Sequence, residues 1–447
     1  MLKKLKSQLT STRILALGFA GIIILGAFLL SLPIASKDGQ WTSFVDTLFT
    51  ATSATAVTGL VVFDTYLHWS IFGQIVILCL LQIGGIGFMT VVTLFSLFLK
   101  RNIGLHERQL LSQAAGAIRI GGIVKLIRRI TLGTFIFEGV GTIFLATRFC
   151  PEMGLWKGIY NAIFHSVSAY CNAGFDLMGK FGEFSSLTKY SNDIIVNLTV
   201  MLLIVIGGVG FIVWNDIARH GLRFKKYLLH TKIVLTATFV LIFGGAILFF
   251  VFEGTSSMAN ESVGNKVLMS FFQSVTTRTA GFNTIDVASL SESGNLLTRI
   301  LMFIGGSPGS TAGGIKTTTF FVLIFGAIAS ARQAPHINIF KKKIEDSVVK
   351  QATAIFTIYL IGILTATIII CAMQPFSVKQ VMFETISAAG TVGLSTGITP
   401  SLNIAAKLII TFLMYGGRIG GLAIALVFAE KRVHVPIERP SEKIIIG

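Results

Sequence analysis

The chain has 447 residues, of which 53% are hydrophobic and 13% charged, with 37 Lys and Arg against 20 Asp and Glu. Soluble domains are about 25% charged, so the composition excludes an ordinary cytosolic enzyme, a nucleic-acid-binding protein and a disordered chain. What remains is a polytopic membrane protein with little folded mass outside the bilayer.

A membrane-crossing helix needs roughly 20 apolar residues. Eight runs qualify, at 14–32, 71–99, 130–147, 194–214, 233–252, 296–331, 354–373 and 403–429. The first follows Lys3, Lys4, Lys6 and Arg13 and lacks a small-residue cleavage site. It reads as a retained helix rather than a signal peptide. With the N-terminus in the cytoplasm, the inner segments 1–13, 100–129, 215–232, 332–353 and 430–447 carry 25 Lys and Arg and the outer segments 10. That asymmetry predicts both termini inside. It also accounts for most of the net charge of +17 without an anionic partner. Cys79, Cys150, Cys171 and Cys371 show no CxxC spacing, so neither a disulfide framework nor a zinc site is implied. The seven histidines are scattered and form no metal set.

Two short patterns alternate four times along the chain. The first is a Phe ten residues ahead of a Gly: FTATSATAVTG (Phe49 to Gly59), FHSVSAYCNAG (Phe164 to Gly174), FFQSVTTRTAG (Phe271 to Gly281) and FETISAAGTVG (Phe383 to Gly393). Each contains a Ser or Thr, at Ser53, Ser168, Thr276 and Ser387. The third copy is one residue shorter if its FQSVT is matched to FHSVS. The second pattern is a Gly-Gly pair in IGGIGF (83–88), IGGVGF (206–211), IGGSPG (304–309) and YGGRIG (415–420). The first set of glycines is spaced by 115, 107 and 112 residues. This predicts four copies of one unit, helix, short polar-aromatic loop, helix. The Gly-Gly pairs by themselves are accounted for by close helix packing.

Segments 44–60, 160–175, 270–282 and 382–395 are too short to span and too apolar to be solvated loops. Irregular backbone at membrane depth is tolerated only where it lines a cavity or is buried in protein. Four re-entrant loops around one axis suggest a pore, each loop a half helix followed by an extended strand. The C-terminal end of such a helix carries about half a negative charge and favours a cation. The strand supplies backbone carbonyls in place of the ion's hydration shell. Glycine allows successive carbonyls to face the axis. No acidic ring precedes the four glycines, which favours a carbonyl filter for potassium or rubidium over a carboxylate filter for calcium. The candidate filter is Thr58 and Gly59; Asn172, Ala173 and Gly174; Thr279, Ala280 and Gly281; and Thr391, Val392 and Gly393. K+ at this filter is the only metal ion expected. Arg278, three residues before Gly281, is expected to brace its loop, because a cation in the pathway would repel it.

The sixth run is interrupted by GGSPGSTAGGIKTTT at 305–319. Glycines, a proline and a series of Ser and Thr cannot continue a lipid-facing helix. The segment should therefore unwind beside the permeation path. GSTAGGIKT superficially suggests a phosphate-binding loop, but Ile315 spoils the Gly-Lys spacing and no βαβ context surrounds it. Arg418 in the eighth run, Lys316 and Glu138 are ionisable residues inside apolar runs, which makes each a functional candidate. Arg418 is expected to stabilise filter-loop carbonyls or to act electrostatically near the gate, and Glu138 to pair with a neighbour.

FHSVSAYCNAGF, SVTTRTAGFNT, SAAGTVGLS and LQIGGIGF together resemble the Trk/Ktr/HKT potassium-uptake superfamily, and most closely the membrane subunits of bacterial Ktr systems. The resemblance covers essentially the whole chain. It implies that Gly59, Gly174, Gly281 and Gly393 are the filter glycines, and that Gly59, in place of the Ser of many plant HKT proteins, goes with potassium selectivity. It implies an intramembrane gate formed by Gly305, Gly306, Ser307, Pro308, Gly309, Ser310, Thr311, Ala312, Gly313, Gly314 and Lys316. It further implies a homodimer with one pore per protomer and a cytosolic ring of Rossmann-type regulatory subunits that binds ATP or ADP; whether sodium serves as a second transported or activating ion is not decided by the sequence. Segments 100–129, 215–232 and 430–447 are the available docking surfaces. Segment 100–129, with Arg108, Arg119, Lys125, Arg128 and Arg129, also suits a stretch resting on anionic lipid.

The expected architecture is thus an all-α multi-pass protein of the cell membrane. Its eight transmembrane helices form four repeats, at 1–100, 101–215, 216–332 and 333–447, around one pore. A secondary transporter would show inverted repeats, whereas these four run the same way. A membrane enzyme would need a catalytic constellation, and none is present in the sequence.

Overall fold

The computed structural model describes residues 11–87, 89–91 and 122–420. The two termini and most of segment 100–129 lie outside the described residues. The described residues form helices, with one small antiparallel hairpin among them pairing Asn338–Ile339 with Lys342–Lys343.

In chain order the helices are α1 (Ser11–Ser31), α2 (Phe44–Ala56), α3 (Thr65–His68), α4 (Ile71–Ile86), α5 (Ile123–Met153), α6 (Leu155–Cys171), α7 (Ile194–Val209) and α8 (Phe211–His220). They continue with α9 (Leu229–Glu253), α10 (Val263–Thr276), α11 (Glu292–Ile304), α12 (Thr317–Ala331), α13 (Asp346–Met373), α14 (Val378–Gly390) and α15 (Ile404–Ile419).

Among the described residues four helices are long and apolar enough to cross a membrane: Arg13–Ser31, Ile123–Met153, Leu229–Glu253 and Asp346–Met373. These are the first, third, fifth and seventh apolar runs. The runs between them behave differently. Run 194–214, read from sequence as one helix, is two helices meeting at 94°, because Gly210 takes a left-handed φ of 103°. The same kind of break ends α4 at Gly87, α11 at Gly305 and α15 at Gly420. Each break lies in or just beyond a Gly-Gly pair, so the pairs do more than permit packing: they lie where these helices stop.

The long helices expose large apolar side chains, such as Leu25 and Phe28 on α1, Phe135 and Ile143 on α5, Ile247 and Val251 on α9, and Ile361 and Ile368 on α13. Surfaces of this extent are stable only where the solvent is lipid. The short helices α2, α6, α10 and α14 lie inside this wall, and their C-terminal halves are almost wholly buried. Each is anchored by a phenylalanine with no exposed surface: Phe49, Phe164, Phe272 and Phe383. In the third copy the anchor is Phe272 and not Phe271, which is only partly buried. The one-residue-shorter alignment of that copy is therefore the structural one. An ion pair closes the arrangement, with Lys407 Nζ at 2.7 Å from Asp46 Oδ1. It fastens the start of α15 to α2, near the other end of the chain.

Candidate functional site

Each short helix ends in the same way. At Val57, Asn172 and Thr391 the backbone turns left-handed, and its N–H returns to a carbonyl three residues back, at Ala54, Ala169 and Ala388. The next N–H, of Thr58, Ala173 and Val392, bonds the carbonyl of Ser53, Ser168 and Ser387 at 2.8–2.9 Å. In the third copy Thr279 is the left-handed residue and Ala280 N–H bonds the Thr276 carbonyl at 2.9 Å. The recurrent Ser and Thr residues thus hold the turns, and in three copies the hydroxyl adds a further bond, that of Thr276 donating to the Phe282 carbonyl at 2.5 Å. Ser53 Oγ accepts from Gly59 N–H and Ser387 Oγ from Gly393 N–H, both at 3.1 Å. The strand expected from sequence is therefore only partly extended, since its first residue is left-handed.

The turns bring the four glycines together. Gly59, Gly174, Gly281 and Gly393 have φ of 95°, 68°, 80° and 94°. A Cβ on Gly59 would fall under 3.0 Å from the carbonyl oxygen of Ala173; the same holds for Gly174 and Ala280, Gly281 and Val392, and Gly393 and Thr58. Each glycine abuts the residue before the next glycine, and the fourth returns to the first. This is a closed ring. Any side chain in it would meet backbone, and L-residues strain at these φ values.

On one side the ring floors a cavity of about 450 Å³ that is also lined by Asp64, Asp176, Glu183 and Asp286. Asp64 accepts from the N–H groups of Tyr66, Leu67 and Phe184, each at 2.9 Å. Asp176, in the loop after α6, accepts from Met178 N–H at 2.9 Å. Loss of surrounding water pushes the Asp176 carboxyl up to about 7, the Met178 N–H opposing this and the nearby Asp64 adding to it. These acids were not singled out in the sequence: Asp64 and Asp286 both stand five residues after their glycines, but Asp176 and Glu183 stand two and nine after Gly174, so no fourfold pattern showed.

On the other side lies segment 305–316, between α11 and α12. Its backbone is tied to the Gly-Gly pairs of other copies. Ser307 N–H donates to Gly208 O at 3.1 Å, Thr311 N–H to Gly207 O at 3.3 Å, and Gly314 N–H to Gly417 O at 3.1 Å. Phe211 N–H donates back to Gly309 O at 2.8 Å. The Thr311 hydroxyl reaches the Tyr170 carbonyl at the end of α6, at 3.2 Å. Gly313 packs on Thr391 and Gly314 on Gly390 so closely that neither has room for a Cβ. Lys316 Nζ donates to the carbonyls of Ala312 at 2.7 Å and Gly313 at 3.1 Å, closing the segment on itself. The Arg418 guanidinium donates to the carbonyls of Thr311 and Gly84, and to Gly85 O at 3.3 Å. Segment 305–316 is thus tied directly to the ends of α6 and α7 and to α14 and α15, and only through Arg418 to the end of α4.

The remaining charged candidates point away from the ring. Arg278 is buried, and its Nη2 lies 3.4 Å from Thr238 Oγ1 on α9. Glu138 on α5 accepts from Gln82 Nε2 on α4 at 3.1 Å. Among the described residues no group of three or more His, Cys, Asp or Glu is arranged to hold a metal ion.

Residues 19–435 match the family TrkH, described as cation transport protein. The chain belongs to the TrkH family. The family is one of cation transporters, not of enzymes, and with its apolar helices the chain is a multi-pass membrane protein. It is 40% identical over 430 residues to Ktr system potassium uptake protein B of Bacillus subtilis, covering 95% of this chain and 94% of that protein. It is 37% identical over 454 residues to potassium/sodium uptake protein NtpJ of Enterococcus hirae, covering 100% and 99%. The crystal structure of the potassium transporter TrkH from Vibrio parahaemolyticus has the same fold, with a TM-score of 0.72 over 94% of this chain and 86% of that one, at 19% identity.

Proposed function

We propose that this TrkH-family chain is the membrane subunit of a Ktr-type system that takes up potassium through a backbone-carbonyl filter. The observation that carries the reading is the closed ring of Gly59, Gly174, Gly281 and Gly393, each against the carbonyl residue before the next. A dehydrating monovalent cation would exchange its water for the carbonyls of Thr58, Ala173, Ala280 and Val392 and their neighbours Asn172, Thr279 and Thr391. The C-terminal ends of α2, α6, α10 and α14 would add negative potential beneath it. The acid-lined cavity would be the outer mouth, and both termini would lie in the cytoplasm.

In this reading segment 305–316 is the gate. It obstructs the path below the filter, and Arg418 and Lys316 latch it in place. Opening needs a partner with different affinities for the two positions. We assign that role to a cytosolic nucleotide-binding ring carrying ATP or ADP, docked on a homodimer of this chain. Sodium as a second ion is part of the proposal, in line with the name of the Enterococcus hirae relative. The four repeats running in one direction support a channel-like path over alternating access.

The test is tracer rubidium uptake into liposomes that hold the chain and its cytosolic partner, with potassium or sodium as competitor. Potassium is expected to block uptake at far lower concentration than sodium, and Gly281→Asp to abolish it. Equal block by the two ions would overturn the selectivity reading.

A further inference from the structure

The four copies share one more position that the filter does not use. Thr50, His165 and Glu384 each follow the anchoring phenylalanine and precede their ring glycine by nine residues; Gln273 precedes Gly281 by eight. In two copies this side chain reaches past its own filter turn to the segment beyond. His165 Nε2 accepts from Leu177 N–H at 3.3 Å, and its Nδ1 lies 2.8 Å from the Asn161 carbonyl. A carbonyl only accepts, so Nδ1 carries the proton and Nε2 is free to accept. Glu384 takes Ser395 Oγ at 2.7 Å, Thr396 N–H at 2.9 Å, Thr396 Oγ1 at 3.3 Å and Thr399 Oγ1 at 2.8 Å. Leu177 and Thr396 stand three residues after Gly174 and Gly393. The two contacts are therefore equivalent, and both side chains are wholly buried.

The other two copies lack the contact. The Thr50 hydroxyl donates to the Asp46 carbonyl of its own helix at 2.9 Å. Gln273 is buried with neither Oε1 nor Nε2 bonded, and Thr284, three residues after Gly281, has a buried hydroxyl without a partner. In the ring order the braced copies, second and fourth, face each other. From this position one diagonal is bonded to the segment beyond its glycine and the other is not; the first and third turns keep only the hydroxyl bonds of Ser53 to Gly59 N–H and of Thr276 to the Phe282 carbonyl.

We infer that Glu384 and His165 are positioning residues that fix the spacing of the ring across this diagonal and thereby set discrimination between potassium and sodium. The inference rests on the carbonyl-filter reading. A ring held at one width favours the larger, more weakly hydrated ion, and a ring free to contract accepts the smaller one. Neither residue touches the ion; each acts through the turn it holds. The carboxylate should weigh more, since hydrogen bonds to a charged acceptor are stronger than those to a neutral ring.

The experiment is thermal unfolding of the purified full-length chain in detergent, titrated with KCl or NaCl at constant ionic strength. A bound ion raises the midpoint in proportion to its occupancy, and the readout does not depend on an open gate. Wild type is expected to be stabilised at lower potassium than sodium concentration. Glu384→Ala should raise the potassium half-saturation roughly tenfold and bring it toward the sodium value. Glu384→Gln, which can still accept from Thr396 and donate to Thr399, should restore most of the difference, and Thr50→Val should shift it less than Glu384→Ala. If Glu384→Ala fails to fold, Ser395→Ala removes one bond to the intact carboxylate and should give a smaller shift in the same direction. A wild-type ratio in Glu384→Ala, or in Ser395→Ala where it stands in, would overturn the inference. Absence of any potassium preference in wild type would instead overturn the filter reading on which it rests.

Discussion

The guanidinium of Arg418 on α15 donates to the carbonyl of Thr311, in the middle of the segment that interrupts the sixth apolar run. The same group bonds Gly84 and Gly85 at the end of α4. One side chain thus joins the first, third and fourth copies beneath the ring. Removing it would free the segment and leave three carbonyls without that donor, at a cost of ~1–3 kcal/mol. We expect Arg418→Ala to raise rubidium leak through liposomes holding the chain alone by several-fold, and Arg418→Lys to raise it less. Unchanged leak in Arg418→Ala would remove this latch from the mechanism.

Gly281 should tolerate no side chain. Its φ of 80° is strained for an L-residue, and a Cβ there would collide with Val392 O. Strain of ~1–3 kcal/mol corresponds to a roughly tenfold loss of potassium affinity. Gly281→Ala is expected to show that loss in potassium-competed uptake, while Gly139→Ala, at an open helical position on α5, keeps wild-type affinity.

The mouth should respond to pH. Asp176 titrates at about 7, so it is neutral below that value and charged above it. A charge beside the ring attracts cations, so the potassium concentration for half-maximal uptake should fall about threefold between pH 6 and pH 8. Asp176→Asn should give the low-pH value throughout. A pH profile that survives the substitution would assign the effect to another group.

The pair of Lys407 and Asp46 should matter for stability and not for selectivity. Their side chains are only 12% and 16% exposed, between the surface and buried regimes. Lys407→Met is expected to cost about 2 kcal/mol, read as a lower unfolding midpoint. Adding Asp46→Asn should recover part of that cost, because no unpaired carboxylate is then left. Additive losses in the double variant would mean that the two residues act independently.

Much of this arrangement was legible because the chain repeats itself. Recurring glycines drew attention to Gly59, Gly174, Gly281 and Gly393, and the run from Gly305 to Lys316 was visible as a stretch no helix could hold. Arg278 was expected from its charge to brace its own loop; its guanidinium instead reaches Thr238 on α9. The breaks at Gly87 and Gly210 were missed, because an apolar run looks the same on both sides of a bend and only the backbone angle reveals it. Contacts such as Thr311 with Arg418, 107 residues apart, leave no local signal. The equivalence of Glu384 and His165 was hidden for another reason. Their copies carry Thr, His, Gln and Glu at one position, and four unlike residues do not read as a repeat.

The ring of glycines closes within a single polypeptide. In an assembly of identical subunits, one codon change would alter every quarter at once. Here it alters one, and the other three stay as they were. Selection can therefore adjust such a ring in small steps, one quarter at a time, and, in the carbonyl-filter reading, its ion preference can drift without first being lost.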